Sequence, residues 1–404
     1  MTFARFGPLS WCMFVLSGLV SWEGPVLAQP TDIQQISPED QKALAASLGQ
    51  DGAALATEPT PASTVATGAA GDMPNLSLIL DTAGAWFSQA KPLQLGGHDP
   101  TANGFNLQQL ELHLDTNIDP YFRVDANLVF GPGGFELEEA YGSTLALPHR
   151  LKVRAGKFLS NFGRMNPTHP HAWHFVDQPL ALSQMLGPDG SRGLGTELSW
   201  LAPLPWSLEL LASVQQADEA PTVNQPWPAR RLQDLRSTVA LKQFVVLSEN
   251  WGLLLGFSGQ RAPIAADGAG QSSLAGADLH LRYRPVADAD RSALEIQGEY
   301  FVRQRNYASQ DVRDHSGYAH VVYNLNAQWE MGVRAEQAVY HADPLQPTWQ
   351  GLRRRYVGQV TWFPSHFSRL RLQAGVDDTQ WQGHGLCAML ALELVGGAHG
   401  AHSY

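Results

Sequence analysis

The sequence predicts an all-β fold, a transmembrane antiparallel β-barrel of about 16 strands preceded by a short N-terminal helix and a linker. Three observations predict it: apolar and polar residues alternate with period two, tight turns alternate with longer loops, and aromatic residues gather near strand ends.

The alternation is plain in QQLELHLDTNI, where Leu110, Leu112, Leu114, Thr116 and Ile118 share one face and Glu111, His113, Asp115 and Asn117 the other. FRVDANLVF repeats it, as do ADLHLRYR, LEIQGEYFVR, RLRLQAGV and LCAMLALEL. Sixteen such segments fit between residues 75 and 395, among them 232–247, 251–261, 273–285 and 316–328. Each is long enough to cross a bilayer as a tilted strand, which takes about 9 to 11 residues.

Soluble sandwiches alternate too, so the connections discriminate. Tight turns at 119–120, 148–149, 203–205 and 364–366 interleave with longer loops at 89–104, 160–192, 217–231, 262–272, 305–315, 342–350 and 379–383. The segment 131–134 is the exception, short where a long loop is due. Trp200, Trp206, Trp329 and Trp362 sit at turns, the girdle positions of an outer-membrane barrel. No apolar run of 18 residues follows the first 28, which excludes helical membrane spans.

Residues 1–28 read as an export signal, with Arg5, an apolar stretch over 9–20 and the spacing Val26-Leu27-Ala28. Residues 29–74 read as a periplasmic helix, with Ser37 as N-cap, Pro38 in the first turn and Gly49 at the end, followed by a small, polar linker. Residues 75–404 then form the barrel. Loss of the signal leaves Cys387 alone, so no internal disulfide forms. The net charge of −11 excludes the basic footprint of a nucleic-acid binder.

With the apolar residues facing lipid, their alternates line an interior wide enough for water. Parity turns Arg123, Lys152, Arg154, His280, Arg282, Arg284, Arg303, Arg305, Arg334, Arg355, Arg369 and Arg371 inward, with Glu111, Asp115, Asp125, Glu295, Glu299 and Glu336. Arginines there would favour anions; paired charges would equally serve to hold a polar wall rigid.

The loop 160–192 is the longest connection, and Trp173, Phe175, Leu180, Leu182 and Leu186 give it something to pack. The available surface is the barrel's inside. Its segment NPTHPHAWHFVD concentrates Asn166, His169, His171, Trp173, His174 and Asp177 as candidate constriction residues. Read as a metal site, His169, His171 and His174 would converge on zinc, which takes about four ligands. Read as polar contacts, they bond the loop to a charged wall. Ser160 near His169 is the nearest approach to a nucleophile and base, without an evident oxyanion site. The expected function is passive diffusion of small hydrophilic solutes or ions through the outer membrane of a Gram-negative bacterium, in contact with its lipid and without a cofactor. Zinc uptake is the alternative, and a barrel enzyme the second.

GKFLSNFGRMNPTHPHAWHFVDQPL, followed by GTELSWLAPLPW and the closing GAHGAHSY, resembles a group of outer-membrane proteins labelled zinc-regulated TonB-dependent outer-membrane receptors. More distantly the barrel is similar to the phosphate-selective porins O and P. The resemblance implies sixteen strands, a third loop folded into the channel and a homotrimer. Energy-driven receptors close 22 strands around a plug, and the 46 residues of 29–74 are too few for one, so the expectation remains a porin.

Overall fold

Alternation of this kind has one stable solution when the apolar side meets lipid: every backbone donor must pair between strands, and no edge can be left open. The computed structural model shows that solution. It describes residues 74–90, 92–217, 231, 234–264, 270–285, 292–307, 310–341 and 350–397. The predicted export signal, the 29–74 helix and linker, and the terminal His399, His402 and Tyr404 lie outside the described residues.

Among the described residues sixteen antiparallel strands, β1 (Asn75–Phe87) to β16 (Gly383–Gly397), pair in sequence order, and β1 returns to β16 through a ladder that includes Ala83↔Ala391. The barrel is closed, so no edge strand remains. The predicted parity holds on the outer face, where Leu372, Leu390, Val333, Val239 and Phe257 stand exposed.

Two expectations change. Strand β12 runs Asp311–Asn326, beginning five residues before the predicted 316, and β9 (Trp251–Pro263) and β10 (Gly270–Tyr283) both extend into the predicted loop 262–272. Beyond the lipid both faces of a strand meet polar surroundings, so pairing continues after the hydrophobic alternation stops. The segment 131–134 is a hairpin with Gly131 opposite Gly134, where Gly134 takes φ +121 that only glycine adopts readily. Strands β2 (Gly104–Asn117), β3 (Phe122–Gly131), β4 (Gly134–Thr144) and β5 (Leu151–Leu159) lie on one side of the barrel. Strands β11 (Ala293–Tyr307), β13 (Trp329–Tyr340), β14 (Gly351–Ser365) and β15 (Ser368–Thr379) lie on another.

Candidate functional site

The connection from β5 to β6 (Arg192–Leu201) turns into the barrel and crosses it from wall to wall. Asn166 joins its two ends: its Nδ2 donates to the carbonyls of Ser160 (2.7 Å) and Ser191 (3.1 Å), and its Oδ1 accepts from Ser191 N (2.7 Å). The outgoing arm is fastened through its main chain. The amides of Arg164 and Met165 donate to the two oxygens of Glu299, both at 2.9 Å, and Gly163 N donates to Ser258 Oγ at 3.0 Å.

The turn at 170–172 then brings imidazoles onto the acidic wall of β2 to β4. His169 Nε2 lies 2.8 Å from Glu139 Oε2 and 2.8 Å from Asn127 Nδ2, and His171 Nδ1 lies 3.2 Å from Glu111 Oε2. The two rings stack with centroids 5.6 Å apart. Extended backbone at Trp173 carries the chain away, so His174 faces another wall, with Nδ1 3.0 Å from Glu330 and Nε2 3.3 Å from Glu295. The three histidines expected to share a metal are therefore divided between two walls. Among the described residues no group of three His, Cys, Asp or Glu side chains is arranged to hold a metal ion.

On the far side of β1 and β16 from the acidic wall the loop meets arginines. Arg369 Nη1 and Arg371 Nη1 donate to the Trp173 carbonyl (2.9 and 3.0 Å), and Arg371 Nη1 also to that of Phe175 (3.1 Å). Asp177 is fully buried and accepts from Arg334 Nη2 (2.7 Å), Gln373 Nε2 (2.9 Å) and Arg355 Nη2. Burial alone would raise its pKa, but Arg355 and Arg334 outweigh that and hold the carboxyl well below the usual range. Burial likewise works against charge on His169 and His174. The hydrogen bond to Glu139 and the charge of Glu111 push His169 up to about 10, and the charges of Glu330 and Glu295 push His174 up to about 10.

The apolar part of the loop fills the remaining space. Helix α1 (Leu180–Leu186) places Leu182 and Met185 with Phe162, Trp173, Phe301 and Tyr318 in one buried cluster. The wall has room for these rings because glycines lie beneath them. A Cβ on Gly276 would come within 3.0 Å of Phe162, and one on Gly332 within 3.3 Å of Phe175.

The expected lumen charges point inward, yet most are buried against partners and do not line water. Arg154 pairs with Glu197 (2.9 Å), Arg303 and Arg305 with Asp314 (2.9 and 2.7 Å), and Arg369 and Arg371 with Glu393. Arg123, bridging Asp115 and Asp125, keeps its side chain 39% exposed. Arg282 and Arg284 are half-buried near the turn side. Ser160 donates to Gln215 Oε1 at 2.6 Å and does not meet His169, so the nucleophile and base expected of an enzyme are not assembled.

Sequence reasoning missed a second loop. Residues 92–103 fold inward as well: His98 Nε2 lies 2.9 Å from Glu138, Gly97 N donates to the Pro188 carbonyl at 2.9 Å, and Asp99 Oδ1 accepts from Gln178 N at 2.8 Å. The only advance sign was GGHDP, a glycine pair before an aspartate; Asp99 Oδ2 does accept from Gly96 N at 2.8 Å. It missed too that β1 and β16 turn Ala83, Ala85, Met389 and Ala391 inward, an apolar patch against which Val176 packs.

An uncharacterised protein of Aquifex aeolicus (strain VF5) is 30% identical over 353 residues, covering 75% of this chain and 73% of that protein. This chain belongs to the same family. No protein-family model matches it. Among solved structures this chain's barrel is similar to OprB of Pseudomonas putida (TM-score 0.57, 8% identity, 81% of this chain and 94% of that one) and to the outer-membrane channel DcaP of Acinetobacter baumannii (0.54, 12%, 80% and 97%). It is similar also to an anion-selective porin from Comamonas acidovorans (0.52, 11%, 80% and 99%). At such identities the likeness shows the fold: a sixteen-stranded, porin-like barrel.

Proposed function

We propose that the protein is a porin-like channel of the Gram-negative outer membrane, passing small hydrophilic solutes by passive diffusion, with loop 160–192 as its constriction. The observation that carries this reading is a closed barrel, apolar outside and charged inside, with one long loop laid across its interior. An exposed belt of Leu, Val, Phe, Tyr and Trp suits lipid, and a wall of ion pairs suits water and polar solutes. Wall-to-wall contacts of the loop make it the narrowest part of any path. The resemblance to phosphate-selective porins adds a homotrimer, which chemical cross-linking in detergent would register as a threefold band.

The experiment is conductance in planar bilayers. Deleting 166–177 removes the histidine turn and Asp177 from the interior, and should raise single-channel conductance. A folded deletion variant that conducts no current would refute the channel.

A further inference from the structure

We propose that Arg334, Arg355 and Gln373 form a carboxylate-binding site, that Asp177 occupies it as a tethered stand-in, and that a carboxylate-bearing solute displaces Asp177 and opens the barrel. This rests on the channel reading and adds to it a ligand class and a closed state.

The site belongs to the wall, whereas its present occupant belongs to the loop. The three donors stand on neighbouring strands, β13, β14 and β15, and converge on one carboxylate from two guanidiniums and an amide. Flat guanidinium forks match the two oxygens of a carboxylate, which a single point charge does not. Other wall residues keep them in place: Arg334 Nε donates to Glu336 Oε1 at 2.8 Å, and Arg355 Nε lies 3.5 Å from Asp377 Oδ2. The receptor thus stays oriented when Asp177 leaves.

Charge points the same way. Arg353 shares Asp377 with Arg355 (Nη2–Oδ1 2.7 Å), so Arg334, Arg353 and Arg355 face Glu336 and Asp377, three cations against two anions. The wall residues alone are one negative charge short; Asp177 bonds to them directly, and Asp99 of the neighbouring loop lies close enough to act on Arg355 and Asp177. Arg355 Nη1 has no hydrogen bond although Arg355 is fully buried, which leaves a spare donor on one of the two guanidiniums of the site. With the loop out the two guanidiniums face the lumen as a preoriented cationic fork, which favours an anion with two oxygens.

Burial supports closure. Each of the sixteen strands carries an inward side chain less than a tenth exposed, from Asp81 on β1 and Glu111 on β2 to Arg355 on β14 and Met389 on β16. The loop that covers many of them is held at Asp177. Glycines with positive φ, Gly163 at +63 and Gly187 at +101, flank the segment that carries Asp177 and are the positions where its backbone can turn. A tethered carboxylate acts at an effective concentration of roughly millimolar or above, so a free one competes in the same range.

The test uses the full-length protein in planar bilayers, bathed in potassium chloride and then in equimolar potassium succinate or phosphate. Wild type should be largely silent in chloride and open as succinate rises through roughly millimolar concentration. Asp177→Asn, close in shape, should conduct at least about tenfold more than wild type in chloride alone, and the Arg334→Gln/Arg355→Gln double variant should not respond to succinate. Calorimetry gives a second reading that needs no arginine variant: Asp177→Ala should bind succinate about tenfold or more tightly than wild type, because no stand-in competes. Wild type conducting in chloride as freely as Asp177→Asn overturns closure; indifference to succinate, or equal opening by phosphate, overturns the carboxylate site. Either result leaves the channel reading standing, whereas silence of the folded 166–177 deletion removes both.

Discussion

The two walls that the loop joins are opposites. The β2–β4 wall offers Glu111, Glu138 and Glu139 and receives His171, His98 and His169, while the β13–β15 wall holds Asp177 and two main-chain carbonyls with arginines and takes one imidazole, His174, on Glu330 at its β13 edge. On the acidic wall each contact is a hydrogen bond from a ring that keeps a second partner or some exposure; on the basic wall one carboxylate is held by several fully buried donors. The contrast teaches where the loop is strongly held. Breaking a buried charge cluster strands charge in a dry place, whereas losing one imidazole leaves a carboxylate with other neighbours.

The largest effect should come from the basic wall. Arg355→Ala leaves Asp177 one cation short and should weaken local docking of the loop by about 3–5 kcal/mol, read as faster amide exchange and proteolysis within 160–192. Equal protection of wild type and variant would break the contrast. Next comes the socket under Phe175. Gly332→Leu overfills it, at about 1–3 kcal/mol, and Phe175→Ala added to that variant should restore part of the loss because the space is freed.

The acidic side should give less. Glu139→Gln keeps the shape but removes the charge opposite His169, at about 1–2 kcal/mol, measured by the same exchange. His98→Ala should be smallest at about 1 kcal/mol, and it should loosen 92–103 before 160–192. If it released both loops together, Gly97–Pro188 and Asp99–Gln178 would be the weaker part of their union.

Alkali tests the contrast without mutation. His174 has its pKa pushed from 6.5 up to about 10 by Glu330 and Glu295 against the effect of burial. A raised pKa means a contribution fully present below pH 6.5 and lost as the pH passes about 10. Protection of residues 170–176 should therefore fall between those limits, while the arginine contacts of Asp177 persist. His174→Gln should remove part of the dependence, the remainder belonging to His169, which is also pushed up to about 10; an unchanged slope would show that His174 contributes none of it. The side chain is 27% exposed, so salt should weaken the effect.

How much of this was readable beforehand depends on which physics each residue obeys. Strand identity and inward parity were legible because lipid outside leaves a period-two record, as at Leu110, Leu112 and Leu114. That record ends where lipid ends, which is why β12 begins at Asp311, before the alternation that predicts 316 sets in. The loop was legible as a folded-in element from its length and its aromatic residues. Its partners were not: His174 and His171 are three residues apart yet meet different walls, because the direction of the chain after residue 172 is set by Arg369 and Arg371 holding carbonyls. Nothing in the histidine spacing records that.

The sequence by itself determined a closed sixteen-stranded wall with its charges inside, since alternation and loop length are local and each strand writes its own. Only the tertiary structure decided that a second loop, 92–103, turns inward beside the first, and that Asp177 lies among Arg334, Arg355 and Gln373, 157 to 196 residues away. Those pairings depend on where the barrel brings distant strands across its interior, and closure around a ring is a property of all sixteen strands together.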